Sequence, residues 1–92
     1  MGVGLTDLQF LTLQLVVQHA SPTNPAATRH LYLYVEKAGK DPRGLLRTLR
    51  ALTRRGFLKD EYVGCEMRWH ASTLGLERVK ERGRVSTSRG NG

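Results

Sequence analysis

Leu8, Leu11 and Leu15 recur at helical spacing near the start of the chain, and Val16 and Phe10 widen the stripe. The pattern predicts a first helix opened by Thr6, with Gln9 three residues on in capping-box spacing. It should end near Ala20, ahead of Ser21-Pro22. Asn24-Pro25 then reads as a cap followed by a first-turn proline, opening a second helix over Ala26 to Ala38. Leu31, Tyr34, Val35 and Ala38 keep helical spacing there. The run Leu31 to Val35 also suits a buried strand, but the cap signals and Gly39, a C-terminal glycine, favour helix. Asp41-Pro42 repeats the cap-plus-proline signal and opens a third helix that runs to about Arg55 and stops at Gly56. A connection of only Gly39 to Asp41 between two helices predicts a helix-turn-helix unit.

After Gly56 the period shortens. Phe57 to Val63 and Cys65 to Ala71 read as two strands with a turn near Gly64. In the second, Met67, Trp69 and Ala71 alternate with Glu66, Arg68 and His70, as in a half-buried hairpin. A short last helix should follow Ser72, with Leu76 and Val79 inward and Glu77, Arg78, Lys80 and Glu81 outward. From Gly83 on the chain has no apolar pattern and reads as a disordered basic tail. There is no internal repeat. The expected class is α+β and mostly helical: three helices, a β-hairpin and a short C-terminal helix in one domain over residues 1–82, then the tail over 83–92.

The third helix carries the strongest signal. Arg43, Arg47, Arg50 and Arg54 fall at i, i+4, i+7 and i+11, within roughly 60° of one another on an ideal helix. Leu45, Leu46, Leu49 and Leu52 are expected on the opposite side, and no acidic residue lies between Arg43 and Arg55. Like charges in line cost a helix stability, so the stripe implies an anion to meet. Gly44 sits in the first turn, where glycine costs about 1 kcal/mol against alanine. Close approach of the second helix is the preferred reason for it, and close approach of a phosphate the other.

Composition narrows the partner. The 92 residues include 15 basic and 8 acidic ones, a net charge of +7. That balance favours a polyanion: DNA, RNA or an acidic protein surface. The single cysteine, Cys65, excludes an internal disulfide and suits a reducing compartment. The apolar stretch from Leu8 to Val17 is interrupted by Gln9, Thr12 and Gln14, too short and polar to span a bilayer. No basic residue precedes it, as one would in a secretion signal. The expected location is the cytoplasm, either at the nucleoid or in a host cell if the chain is phage-encoded.

Two stretches resemble winged helix-turn-helix regulators. Leu46-Arg47-Thr48-Leu49-Arg50-Ala51-Leu52-Thr53-Arg54-Arg55-Gly56-Phe57-Leu58 is similar to a recognition helix running into the first wing strand. Trp69-His70-Ala71-Ser72-Thr73-Leu74-Gly75 resembles the exit from the wing in MarR-like and PadR-like proteins, where a Ser/Thr cap precedes a glycine by three residues. The resemblance covers roughly residues 6 to 82. It implies a sequence-specific DNA-binding transcriptional regulator, a repressor, that inserts the helix from 41 to 55 into the major groove as a homodimer. Arg43 and Arg47 would read base edges, with Thr48 beside them. Arg50 and Arg54 would meet phosphates, as would Arg55, Lys59 and Lys40 at the helix ends. The wing carries Asp60, Glu61 and Glu66 against Lys59 and Arg68, which moves the burden of binding onto the helix. The alternative is a winged-helix interaction module whose arginine stripe docks on an acidic surface of a protein partner.

Enzyme and metal chemistry find little support. Structural zinc takes four ligands with paired spacing, and one cysteine with His19, His30 and His70 scattered along the chain does not supply them. Cys65 with His70 has no third group to orient a nucleophile. No enzymatic activity and no cofactor are expected.

Overall fold

In a computed structural model, residues 4–81 are described. The elements run α1 (Asp7–His19), β1 (Ala26–Ala27), α2 (Thr28–Lys37), a 3₁₀ turn (Pro42–Gly44), α3 (Leu45–Arg54), β2 (Leu58–Val63) and β3 (Glu66–Ala71). A final helix, α4, occupies residues 73–81. The basic tail expected over 83–92 lies outside the described residues.

The helix boundaries follow local chemistry. Thr6 and Gln9 form the capping box at the start of α1: each side chain takes a backbone N–H of the other at 3.1 Å. Its C-cap is Ala20. At the ends of α2 and α3 the chain turns through Gly39 at φ 82° and Gly56 at φ 88°, a conformation costly for any residue with a Cβ. There the Lys40 and Phe57 N–H groups reach back to the carbonyls of Val35 and Leu52. These helix stops therefore lie where the two glycines predict them.

The second helix begins later than its apparent cap. Asn24 pairs instead with Ser21 in a small bridge, and Ala26–Ala27 forms a strand. That strand pairs antiparallel with β3, Ala26 opposite Trp69 and Ala27 opposite Arg68, giving a three-stranded sheet in the order β1-β3-β2. Two alanines have no strand preference of their own; the open edge of β3 makes them one. The hairpin β2–β3 keeps its expected frame, with Leu58 opposite Ala71 and Val63 opposite Glu66 across Gly64–Cys65.

The core gathers Leu13 and Val16 from α1, Leu31 and Val35 from α2, and Leu45, Leu49 and Leu52 from α3, closed by Phe57, Leu58 and Trp69. The buried face of α1 is Thr12, Leu13 and Val16, not the Leu8-Leu11-Leu15 stripe, which stays half-buried. Thr12 tolerates burial because its hydroxyl donates to the Leu8 carbonyl at 2.8 Å. Tyr34 packs against the core and stacks on His19 with ring centroids 3.9 Å apart, while Tyr32 is exposed.

Trp69 is 1% exposed, and its indole N–H donates to the Thr28 hydroxyl at 2.8 Å. This bond ties the start of α2 to the centre of the sheet. Thr28→Val keeps the shape but strands a buried donor, so about 1–3 kcal/mol of stability should be lost. Denaturant unfolding followed by tryptophan emission would show it, and an unchanged midpoint would mean that this bond adds no stability.

The exit from the wing is the tightest contact. The Ser72 hydroxyl donates to the Gly56 carbonyl and accepts from the Gly75 N–H, while the Ser72 N–H donates to the Phe57 carbonyl at 3.0 Å. Gly75 is buried against that same Phe57 carbonyl. Thus Gly75, not Leu76, is the inward residue at the start of α4: Leu76 is 40% exposed and only Val79 packs on the core as expected.

Candidate nucleic-acid interface

α2, the 3₁₀ turn and α3 form the helix-turn-helix. The inner side of α3 is fixed by Leu45, Leu49 and Leu52, each at most 1% exposed. That burial turns the opposite side outward, where Leu46, Arg47, Arg50, Ala51 and Arg54 line a shallow open groove. The three arginines are exposed, and among the described residues none pairs with a carboxylate.

The fourth arginine is apart from them. α3 starts only at Leu45, so Arg43 belongs to the preceding 3₁₀ turn and is out of phase with the helix. Asp41 holds it: the carboxylate accepts from the Arg43 backbone N–H at 3.0 Å and from Nε at 2.8 Å, with Nη2 at 2.7 Å. The side-chain hydrogen bond from Arg43, then the backbone one, keeps the Asp41 carboxyl below the ordinary aspartate range. The same bond raises the Arg43 pKa further. Because the Asp41 pKa is depressed on folding, whatever this cap adds to stability is present above the ordinary aspartate pKa. It is lost as pH falls through the depressed one. In a carboxyl NMR titration the Asp41 midpoint should lie below about 3.9 and move up in Arg43→Ala; equal midpoints would show that the pair does not form in solution.

The remaining predicted contacts divide. Thr48 is 9% exposed and its hydroxyl donates to the Gly44 carbonyl at 3.1 Å, which turns it from the arginine face toward the core. Arg55, the C-cap of α3, lies over the Phe57 ring at 5.4 Å, with Arg78 over the same ring at 5.7 Å. Lys40 and Lys59 are exposed, before the 3₁₀ turn and on β2. Gly44 corrects the preferred explanation for it: a Cβ there would meet nothing within 4 Å, so close helix packing does not require glycine.

Leu46 does not lie opposite the arginines as expected. It is 38% exposed and lines the arginine groove instead of the core. The signal was available, since steps of 100° put Leu46 only about 40° from Arg50 and about 100° from Leu45.

On the wing, Glu66 is bound by Arg29 of α2 and by Arg68, the latter at 3.2 Å. Partial burial pushes its carboxyl up, but the hydrogen bonds and charges of Arg29 and Arg68 outweigh this and hold it low. Asp60 and Glu61 stay exposed, and Tyr62 near the tip is 71% exposed.

No protein-family model matches the chain, and no curated protein sequence does. Solved structures do match it in shape. MepR, a transcription regulator of the Staphylococcus aureus multidrug efflux pump MepA, superposes with a TM-score of 0.78 at 14% identity, over 95% of this chain and 62% of MepR. ZitR of Lactococcus lactis, a zinc-responsive MarR family member, superposes with a TM-score of 0.65 at 16% identity, over 97% of this chain and 62% of its own. The fold is therefore a winged helix-turn-helix, shared with MepR and ZitR, as the sequence motifs implied. The chain spans about 62% of the length of these neighbours. Among its described residues no three His, Cys, Asp or Glu side chains gather in metal-binding geometry, and no helix is long and apolar enough to cross a membrane.

Proposed function

We propose that the protein is a sequence-specific DNA-binding transcriptional regulator, with α3 as its recognition helix. The observation that carries this reading is the exposed row Arg47, Arg50 and Arg54 on the second helix of a helix-turn-helix, free of acidic partners among the described residues. An α-helix fits the major groove, and arginine bonds guanine or phosphate in pairs. Arg47, near the start of α3, reads a base edge. Arg50 and Arg54, further along, hold the backbone, helped by Lys40 and Lys59. Arg43 joins them only when it leaves Asp41.

The protein acts as a homodimer and a repressor in this reading. One α3 reaches only a few base pairs, and two copies would double the readout. Leu74 and Leu76, 49% and 40% exposed on α4, with the half-buried Leu8, Leu11 and Leu15 of α1, offer apolar surface for the seam. MepR, a transcription regulator, and ZitR, a MarR family member, have the same fold, which supports the general reading.

The test is selection. Immobilised protein is incubated with sheared genomic DNA at moderate salt, and the retained fragments are sequenced. Recovery of a few discrete loci sharing a motif supports sequence-specific regulation. Uniform recovery, or none, contradicts it.

A further inference from the structure

Besides its arginines, the exposed face of α3 carries a second chemistry. Leu46 and Ala51 border the arginines: on an ideal helix Leu46 lies about 40° to one side of Arg50, and Ala51 about 40° beyond Arg47 on the other. Both line the same groove as Arg47, Arg50 and Arg54. Leu46 is 38% exposed although Leu45 beside it is 1% exposed. Core packing of α3 is complete without it, since Leu45, Leu49 and Leu52 fill the inner face and Leu46 is not among the residues packed on the core.

Leu46 is the second residue of α3, at the end that a recognition helix points at base edges. The other side chains of this first turn are turned away or occupied. Thr48 is buried and bonded to Gly44, and Arg43 is held by Asp41. Leu46 and Arg47 are then the side chains at the entry of the helix that are free to meet a base pair. A branched apolar side chain has no hydrogen bond to offer. In the major groove the one apolar group on a natural base edge is the 5-methyl of thymine.

We infer that Leu46 is a specificity-determining residue that packs on the 5-methyl group of a thymine, next to the base pair contacted by Arg47. The arginines beside it hold this apolar contact against the duplex by charge. The inference rests on α3 being a DNA-reading helix, and its test separates the two claims.

Duplexes are first selected from a random pool with the wild-type protein and their motif determined. Each thymine of the motif is then replaced by deoxyuridine, which removes only the methyl group. Binding is measured by fluorescence anisotropy for wild type and Leu46→Ala, whose half-exposed site permits folding, checked by circular dichroism. The expected result is one thymine whose replacement weakens wild-type binding about three- to fivefold, the size of one methyl group leaving water. Leu46→Ala should bind the thymine and deoxyuridine duplexes equally, with an unchanged salt slope. If no replacement weakens wild type, or if Leu46→Ala keeps the discrimination, the role of Leu46 is overturned while α3 still reads DNA. If the pool yields no motif, recognition by α3 and the role of Leu46 fall together.

Discussion

Gly75→Ala should be the most damaging single substitution in this domain away from the core leucines. A Cβ at position 75 would lie directly on the Phe57 carbonyl oxygen and 3.2 Å from Leu13 Cδ1. The leucine end can swing away, but the carbonyl is backbone. It also accepts the Ser72 N–H, while Ser72 bonds Gly56 through its hydroxyl. Relief therefore has to come from moving α4 off the wing base and losing those bonds. Overpacking against backbone costs about 3 kcal/mol, so the melting temperature should fall by more than about 10 °C in a domain of this size. Gly44→Ala is the matched control, because nothing lies within 4 Å of its added Cβ. Thermal denaturation of the two variants decides it: equal melting temperatures would mean that α4 does not pack as described.

The second large effect is on binding. Arg47→Ala/Arg50→Ala removes two of the three unpaired arginines of the α3 face without touching its buried leucines. Fold and stability should change little, since surface substitutions of this kind stay within about 0.5 kcal/mol. Affinity for DNA should fall at least about thirtyfold, given about 1–3 kcal/mol for a lost base contact plus a lost phosphate contact. Salt dependence follows from the phosphate contacts: with Arg43 held by Asp41, Arg50, Arg54, Lys40 and Lys59 on phosphates would give a slope of log affinity on log salt of about −3.6 per protomer. Freeing Arg43 by changing Asp41 would steepen it.

Much of this architecture was legible because it is written locally. The capping box of Thr6 and Gln9, the helix stops at Gly39 and Gly56, and the alternation of Met67, Trp69 and Ala71 each lie within a few residues. What was illegible depended on distant partners or on phase. Ala26–Ala27 is a strand only because β3, some forty residues later, presents an open edge to it. The face of α1 was obscured because apolar residues surround that helix, so spacing alone could not choose Leu13 and Val16 over Leu11 and Leu15. The spacing of the arginines predicts one continuous helix, but the 3₁₀ turn at Pro42–Gly44 breaks the phase and leaves Arg43 behind. Within the candidate site, the common face of Arg47, Arg50 and Arg54 is legible in their spacing. Leu46 is less so, because a leucine in an amphipathic helix ordinarily faces the core, and only its angle relative to Arg50 sets it on the other side.

The acidic wing takes a different meaning once its pairs are known. Glu66 is occupied by Arg29 and Arg68, and so links the wing to α2. Asp60 and Glu61 remain exposed on β2 and would repel a phosphate backbone. This arrangement places the electrostatic attraction on α3 and gives little of it to the hairpin.

The proposed binding of duplex DNA by the arginines of α3 is tested by the affinity of wild type and Arg47→Ala/Arg50→Ala for one selected duplex at two salt concentrations. Strong, salt-sensitive binding by wild type, and binding weakened at least about thirtyfold with a shallower slope in the variant, is the predicted result. Equal affinities and slopes for the two proteins, with both folded, would contradict it.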